Sequence, residues 1–131
     1  MAETSLIKKL GMKPGQKILI LNAPEGYIQT LGTLPENAEV QMRVEGKFDF
    51  VQVFVHNKAD VDNYAVMAIQ VLKSGGLLWF SYPKKSSKVK TDITRDIGWE
   101  APKSVGWRPV TQIAIDETWS ALRFRPESEV G

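Results

Sequence analysis

Nine residues in four separated stretches have the chemistry to hold a small molecule: Asn22, Glu25, Gly26 and Tyr27; His56 and Asn57; Tyr82 and Lys84; and Trp119. Asn22 and Glu25 stand at capping-box spacing after an apolar run, where Asn22 would accept from a backbone N–H and Glu25 would reach back. A helix N-terminus attracts anions, but a glutamate in its first turn takes up that potential. A cap is therefore expected there, not a phosphate cradle. Gly26 leaves the backbone open to close approach by a ligand. His56 reads as an ordinary strand-end histidine sooner than as a base, since no serine or cysteine nucleophile motif surrounds it, and no catalytic residue is assigned. Lys84 begins a stretch with Lys85, Lys88 and Lys90 that could meet phosphate, although lysines among serines read more simply as a solvated loop. That loop has no interleaved aromatic residues to stack nucleic-acid bases. Asp92, Arg95 and Asp96 would form local ion pairs, or Arg95 would reach toward a ligand. Trp119 either packs beside the Asp116-Glu117-Thr118 turn or lines a pocket.

Composition narrows the chemistry. The chain has 131 residues, a net charge of +2, no cysteine and one histidine, His56. Its length suits one α/β domain over 1–131, with an N-terminal helix within 1–12 and a frayed tail from 127 to 131. Thiol catalysis, iron–sulfur ligation, cysteine-based zinc sites and multi-histidine metal sites are excluded, and no metal is expected. The first ten residues lack a cleavable leader pattern, and no apolar run approaches the roughly 20 residues of a membrane span. A cytoplasmic location without membrane contact is expected.

The elements that must position these residues follow from hydrophobic period. Ser5 to Leu10 reads as a short helix, capped by Thr4 or Ser5 and ended by Gly11. Lys17 to Leu21 is continuously apolar, as a doubly buried parallel strand should be. A short helix from the Asn22–Glu25 box ends near Gly32. Ala38 to Val44 reads as a second strand, with Val40, Met42 and Val44 on one face, and Phe48 to Val55 as a third. Their two-residue link, Gly46-Lys47, favours an antiparallel hairpin, because a parallel crossover should take a dozen or more residues. The alternative is a second strand cut short near Met42, with Arg43 to Lys47 as the return. From Asp60 the period becomes helical, through Val61, Tyr64, Ala65, Met67, Ala68, Val71 and Leu72, until Lys73-Ser74-Gly75-Gly76. Leu77 to Tyr82 is the next strand, and Thr91 or Asp92 would cap a further helix toward Trp99. Val110 to Ile115 and Trp119 to Phe124 then form a terminal hairpin.

This succession, with Asp49 in Phe48-Asp49-Phe50-Val51 and Leu72-Lys73-Ser74-Gly75-Gly76-Leu77 before a strand, resembles the class I S-adenosylmethionine-dependent methyltransferase fold. The whole chain is also similar to a bacterial family of small proteins of unknown function related to that fold, through Lys9-Leu10-Gly11, Tyr82-Pro83-Lys84 and Trp119-Ser120-Ala121-Leu122-Arg123. The resemblance implies a glycine-rich cofactor loop after the first strand and an acidic residue ending the second. Here the loop is Asn22-Ala23-Pro24-Glu25-Gly26, with one glycine, and the only candidate acid is Glu45.

The expected architecture is a three-layer, Rossmann-like (methyltransferase-like), mostly parallel sheet ending in an antiparallel hairpin and reduced in size. In such a sheet ligands lie beyond the carboxyl ends of the parallel strands, which would gather all nine residues at one rim. The expected function is a non-enzymatic ligand- or protein-binding module; the alternative is an S-adenosylmethionine-dependent methyltransferase with a degenerate cofactor loop. S-adenosylmethionine is the one cofactor considered. A small molecule or a protein is the expected partner, and nucleic acid is not.

Overall fold

The computed structural model describes residues 6–85, 87 and 89–129. The cap expected at Thr4 or Ser5 lies outside these residues, as do Ser86 and Lys88 of the lysine stretch and the last two residues of the tail.

In Lys17–Leu21 (β1), Ile18 to Leu21 are apolar and buried because neighbours enclose them. Glu39–Gln41 (β2) pairs along one edge and Phe48–Phe54 (β3) along the other, both parallel to it. Leu72–Pro83 (β4) runs parallel to β3. Trp107–Ala114 (β5) and Trp119–Pro126 (β6) close the sheet as an antiparallel hairpin, with β6 against β4. The order of the six strands is β2-β1-β3-β4-β6-β5, the mixed, mostly parallel sheet expected from the sequence.

The uncertain join resolves in favour of the short second strand. β2 ends at Gln41 and β1 separates it from β3, so residues 42–47 form the return. A strand this short rises only about 10 Å, a distance that six residues can retrace without a helix. Met42 and Val44, expected on one strand face with Val40, are 66% and 45% exposed because they belong to that return. Glu45 is carried back to the start of β1, where its carbonyl oxygen accepts from Lys17 Nζ at 3.0 Å.

Apolar layers cover both faces of the sheet. On one face, Val61, Ala65 and Ala68 of the helix Lys58–Gln70 pack with Ile93 and Trp99 over Val51, Val53, Phe80, Leu122 and Phe124. On the other, Ile7 and Leu10 of the helix Leu6–Leu10, with Met12, Tyr27 and Leu31, cover Ile18, Ile20, Phe50, Phe54 and Trp79. The helices are numbered α1 (Leu6–Leu10), α2 (Tyr27–Thr30), α3 (Lys58–Gln70) and α4 (Glu100–Ser104).

The helix expected from Thr91 or Asp92 toward Trp99 does not form. Thr91 Oγ1 accepts from Ile93 N at 3.1 Å, and Thr94 Oγ1 from Ile97 N at 3.1 Å. Short polar side chains that satisfy nearby backbone in this way compete with helix formation. Asp92 turns outward, and its carboxylate accepts from Lys58 N at 2.7 Å, at the first turn of α3.

Candidate functional site

The carboxyl ends of β1, β3 and β4 bring the four sequence stretches to one rim, but the sheet divides them. Tyr27 and Trp119 pack on the face covered by α1 and α2, whereas Tyr82 packs on the face covered by α3. Lys84 joins the two sides through its backbone N–H, which donates to Thr118 O at 2.7 Å in the hairpin turn.

At the corner after β1 the expected capping box is absent. Tyr27 N donates to Pro24 O at 3.0 Å and Gly26 adopts φ 83°, so the helix begins only at Tyr27. This turn leaves Asn22 too far from the helix to cap it. Asn22 instead takes a left-handed backbone (φ 60°) and its Nδ2 donates to Phe54 O at 3.5 Å. Glu25 is exposed. The Tyr27 ring stands edge-on to Phe54, with centroids 4.7 Å apart, and Phe54 meets Trp119 at 5.1 Å. The Tyr27 hydroxyl donates to Gln52 Oε1 at 3.1 Å, and Gln52 Nε2 donates to Ser81 Oγ at 2.9 Å. Gln52 and Ser81 are fully buried, so this chain satisfies polar groups that would otherwise destabilise the sheet. Burial is the main reason that the Tyr27 phenol is pushed up to about 12. What remains at this corner is a recess of about 190 Å³ between Pro24, Gly26, Thr30 and Asp116.

The next two candidates are engaged with α3. Asn57 is its N-cap, with Oδ1 accepting from Asp60 N at 2.9 Å. His56 N donates to Asp60 Oδ2 at 2.8 Å, and the His56 ring lies edge-on to Trp119 at 5.3 Å. Trp119 is only 7% exposed and packs in the core. Among the described residues no group of three or more histidine, aspartate or glutamate side chains is placed to hold a metal ion.

A roomier space at the rim lies on the α3 side, beyond β4 and β6. It is a cavity of about 570 Å³, and its lining includes Tyr82, Lys84, Lys85, Arg95, Ile97 and Ser120. Tyr82 is nearly buried beside Trp99, and its hydroxyl accepts from Gln112 Nε2 at 2.9 Å. Burial raises the Tyr82 phenol pKa, and the nearby Arg95 charge partly offsets that rise. Asn22, Glu25, Gly26, Tyr27, His56, Asn57 and Trp119 do not line this cavity; Tyr82 and Lys84 do. Sequence reasoning missed Ile97 and Ser120. The signal for Ser120 was available, because it shares a strand face with Leu122 and Phe124 and is small and polar where that face is otherwise large and apolar.

Comparison with known proteins identifies the architecture. The chain superimposes on the ribosomal protein L11 methylase of Lactobacillus delbrueckii subsp. bulgaricus with a TM-score of 0.61 at 12% identity, covering 92% of this chain and 74% of that one. A DhpI–SAH complex gives 0.63 at 12% identity over 93% and 82% of the two chains. A SAM-dependent methyltransferase from Aquifex aeolicus gives 0.60 at 13% identity over 91% and 86%. The fold is that of the class I S-adenosylmethionine-dependent methyltransferases. At these identities the likeness concerns the methyltransferase fold alone. No protein-family model matches the chain and no curated protein sequence does, so the similarity to a family of small bacterial proteins rests on its residues.

The residues that carried the methyltransferase resemblance sit at the opposite rim, where the strands begin. The Asp49 carboxylate accepts from Lys17 N at 2.8 Å and lies 3.4 Å from Lys73 Nζ, tying together the starts of β1, β3 and β4. Gly76 passes so close to β3 that a Cβ there would stand 2.9 Å from the Asp49 carbonyl oxygen. These motifs hold the sheet in register and touch none of the candidate site.

Proposed function

We propose that this chain is a ligand-binding module built on the methyltransferase fold, that it does not use S-adenosylmethionine, and that its ligand lies at the carboxyl rim on the β4–β6 side. The observation that carries this reading is the placement of Tyr27. The loop after β1 is where the methyltransferase resemblance puts the cofactor, and here the Tyr27 ring closes that corner against Phe54. Moving the ring out would expose an aromatic side chain and leave the buried Gln52 Oε1 without the donor it has in Tyr27. Together these cost about 3–5 kcal/mol, two to four powers of ten in affinity.

Two further features support the same conclusion. Glu45, the only candidate for the acid that would hold the ribose, is at the far end of β1 beside Lys17. The carboxyl end of β2 offers Gln41 instead, a neutral amide whose buried Oε1 has no hydrogen-bond partner among the described residues. No helix among the described residues is long and apolar enough to cross a membrane.

Thermal denaturation with 1 mM S-adenosylmethionine tests the reading. A ligand at about 100 times its dissociation constant adds about 2.7 kcal/mol, several degrees for a chain of this size. A midpoint unchanged to within a degree is expected. A rise of several degrees would overturn the proposal in favour of a working cofactor site.

A further inference from the structure

The cavity beyond β4 and β6 has a distinctive distribution of polar groups. Its mouth carries three cations, Lys84, Lys85 and Arg95, against one anion, Asp96. Arg95 Nη1 lies 3.4 Å from Asp96 Oδ1 in an exposed pair, which binds weakly in water. Neither Lys84 nor Lys85 has an ion-pair partner among the described residues. The unbalanced charge at the mouth is therefore positive. Ile97 stands at the same mouth, 60% exposed, and offers an apolar contact. Deeper in, Ser120 is only 6% exposed and lines the cavity.

Resting on the reading of the rim as a ligand site, we propose that this cavity binds a small organic phosphate monoester. Its phosphate is held at the mouth by Lys84, Lys85 and Arg95, its body lies past Ile97, and a polar atom at its far end pairs with the Ser120 hydroxyl. The volume falls within the range of small-molecule sites, which are largely apolar with a few placed polar groups. Concavity and a polar group at depth favour a small ligand over a nucleic-acid backbone, which would track an extended basic groove. Lys84 is the pivotal cation, because its backbone bond to Thr118 fixes the loop start against the hairpin turn beside the cavity.

The test is an amide-resolved NMR titration of the full chain with adenosine 5′-monophosphate and with phenyl phosphate. Adenosine, phenol and inorganic phosphate serve as counterparts, each lacking one half of an ester. Both esters should shift the amides of Tyr82, Thr94, Ile97 and Ser120 saturably, at least about tenfold more tightly than their counterparts. The affinity should fall as salt rises. Lys84→Gln with Arg95→Gln should weaken both esters by about tenfold or more, while Lys13→Gln at the opposite rim should leave them unchanged. Ser120→Ala should weaken binding severalfold, since it removes the polar group at the far end of the cavity. Equal binding of esters and neutral counterparts would overturn the phosphate assignment and leave the rim as a ligand site. Inorganic phosphate binding as tightly as the esters would overturn the organic part. Absence of saturable shifts with either ester at 10 mM would overturn the proposal. Saturable shifts confined to residues 22–27 with the adenosine compounds would overturn it together with the function proposed above.

Discussion

Tyr27 ties the fold to the proposed function, because the same hydroxyl that bonds Gln52 holds the ring across the corner after β1. Its phenol is raised from 10.0 to about 12 by burial. Between those values the unfolded chain gives up the proton while the folded chain keeps it, so stability falls as pH rises through that window. The loss reaches about 2–3 kcal/mol by pH 12. Urea denaturation from pH 9 to 12 should show this decline, and Tyr27→Phe should flatten most of it. A remainder will persist through Tyr82, whose phenol is also raised by burial. An alkaline slope unchanged in Tyr27→Phe would mean that the ring is not held where it is described. Tyr27 was picked from the sequence for its place after the first strand. Its buried partner Gln52 lies amid an apolar run, and pairing across 25 residues has no local sequence signal.

Among the elements, those defined by a long unbroken period were legible. β1, β3 and α3 each follow their hydrophobic pattern to within a few residues, because burial on both faces or along one helical stripe leaves little choice. The failures occurred where a tertiary partner or a single backbone angle decides. Val40, Met42 and Val44 alternate as a strand would, but only the residues that reach β1 are held in one, and the pairing stops at Gln41. Asn22 and Glu25 have the spacing of a capping box, yet the left-handed turn at Gly26 starts the helix beyond both. The stretch after Thr91 lost its helix to hydroxyl–backbone bonds that composition alone does not reveal. The Ser74-Gly75-Gly76 crossing gives a direct check at this scale. An added methyl at Gly76 would sit 2.7 Å from Leu72 Cδ1 and 2.9 Å from a backbone oxygen that cannot move aside. Gly76→Ala should therefore cost about 1–3 kcal/mol, read as a melting midpoint lowered by several degrees, with no effect on ligand binding at the distant rim. A stability equal to the parent would refute the close approach of β4 to β3.

At the scale of the whole molecule, the sheet keeps the methyltransferase layout while its two rims serve different ends. The amino rim holds the residues that made the resemblance readable, Asp49 and the glycines before β4, and they fix register. The carboxyl rim is narrowed over β1 by Tyr27 to a recess of about 190 Å³ and is roomier, about 570 Å³, beyond β4 and β6. The candidate site was only half legible for this reason. Strand ends can be found from sequence, but which face of the sheet an end residue packs on, and where a cavity survives between packed loops, depend on the assembled layers. The chain shares the methyltransferase fold, and its proposed function is one without the cofactor site. Isothermal titration calorimetry of the full chain with S-adenosylhomocysteine tests it most directly: no saturable heat up to 1 mM is predicted, and a saturable isotherm with a dissociation constant below about 100 μM would contradict it.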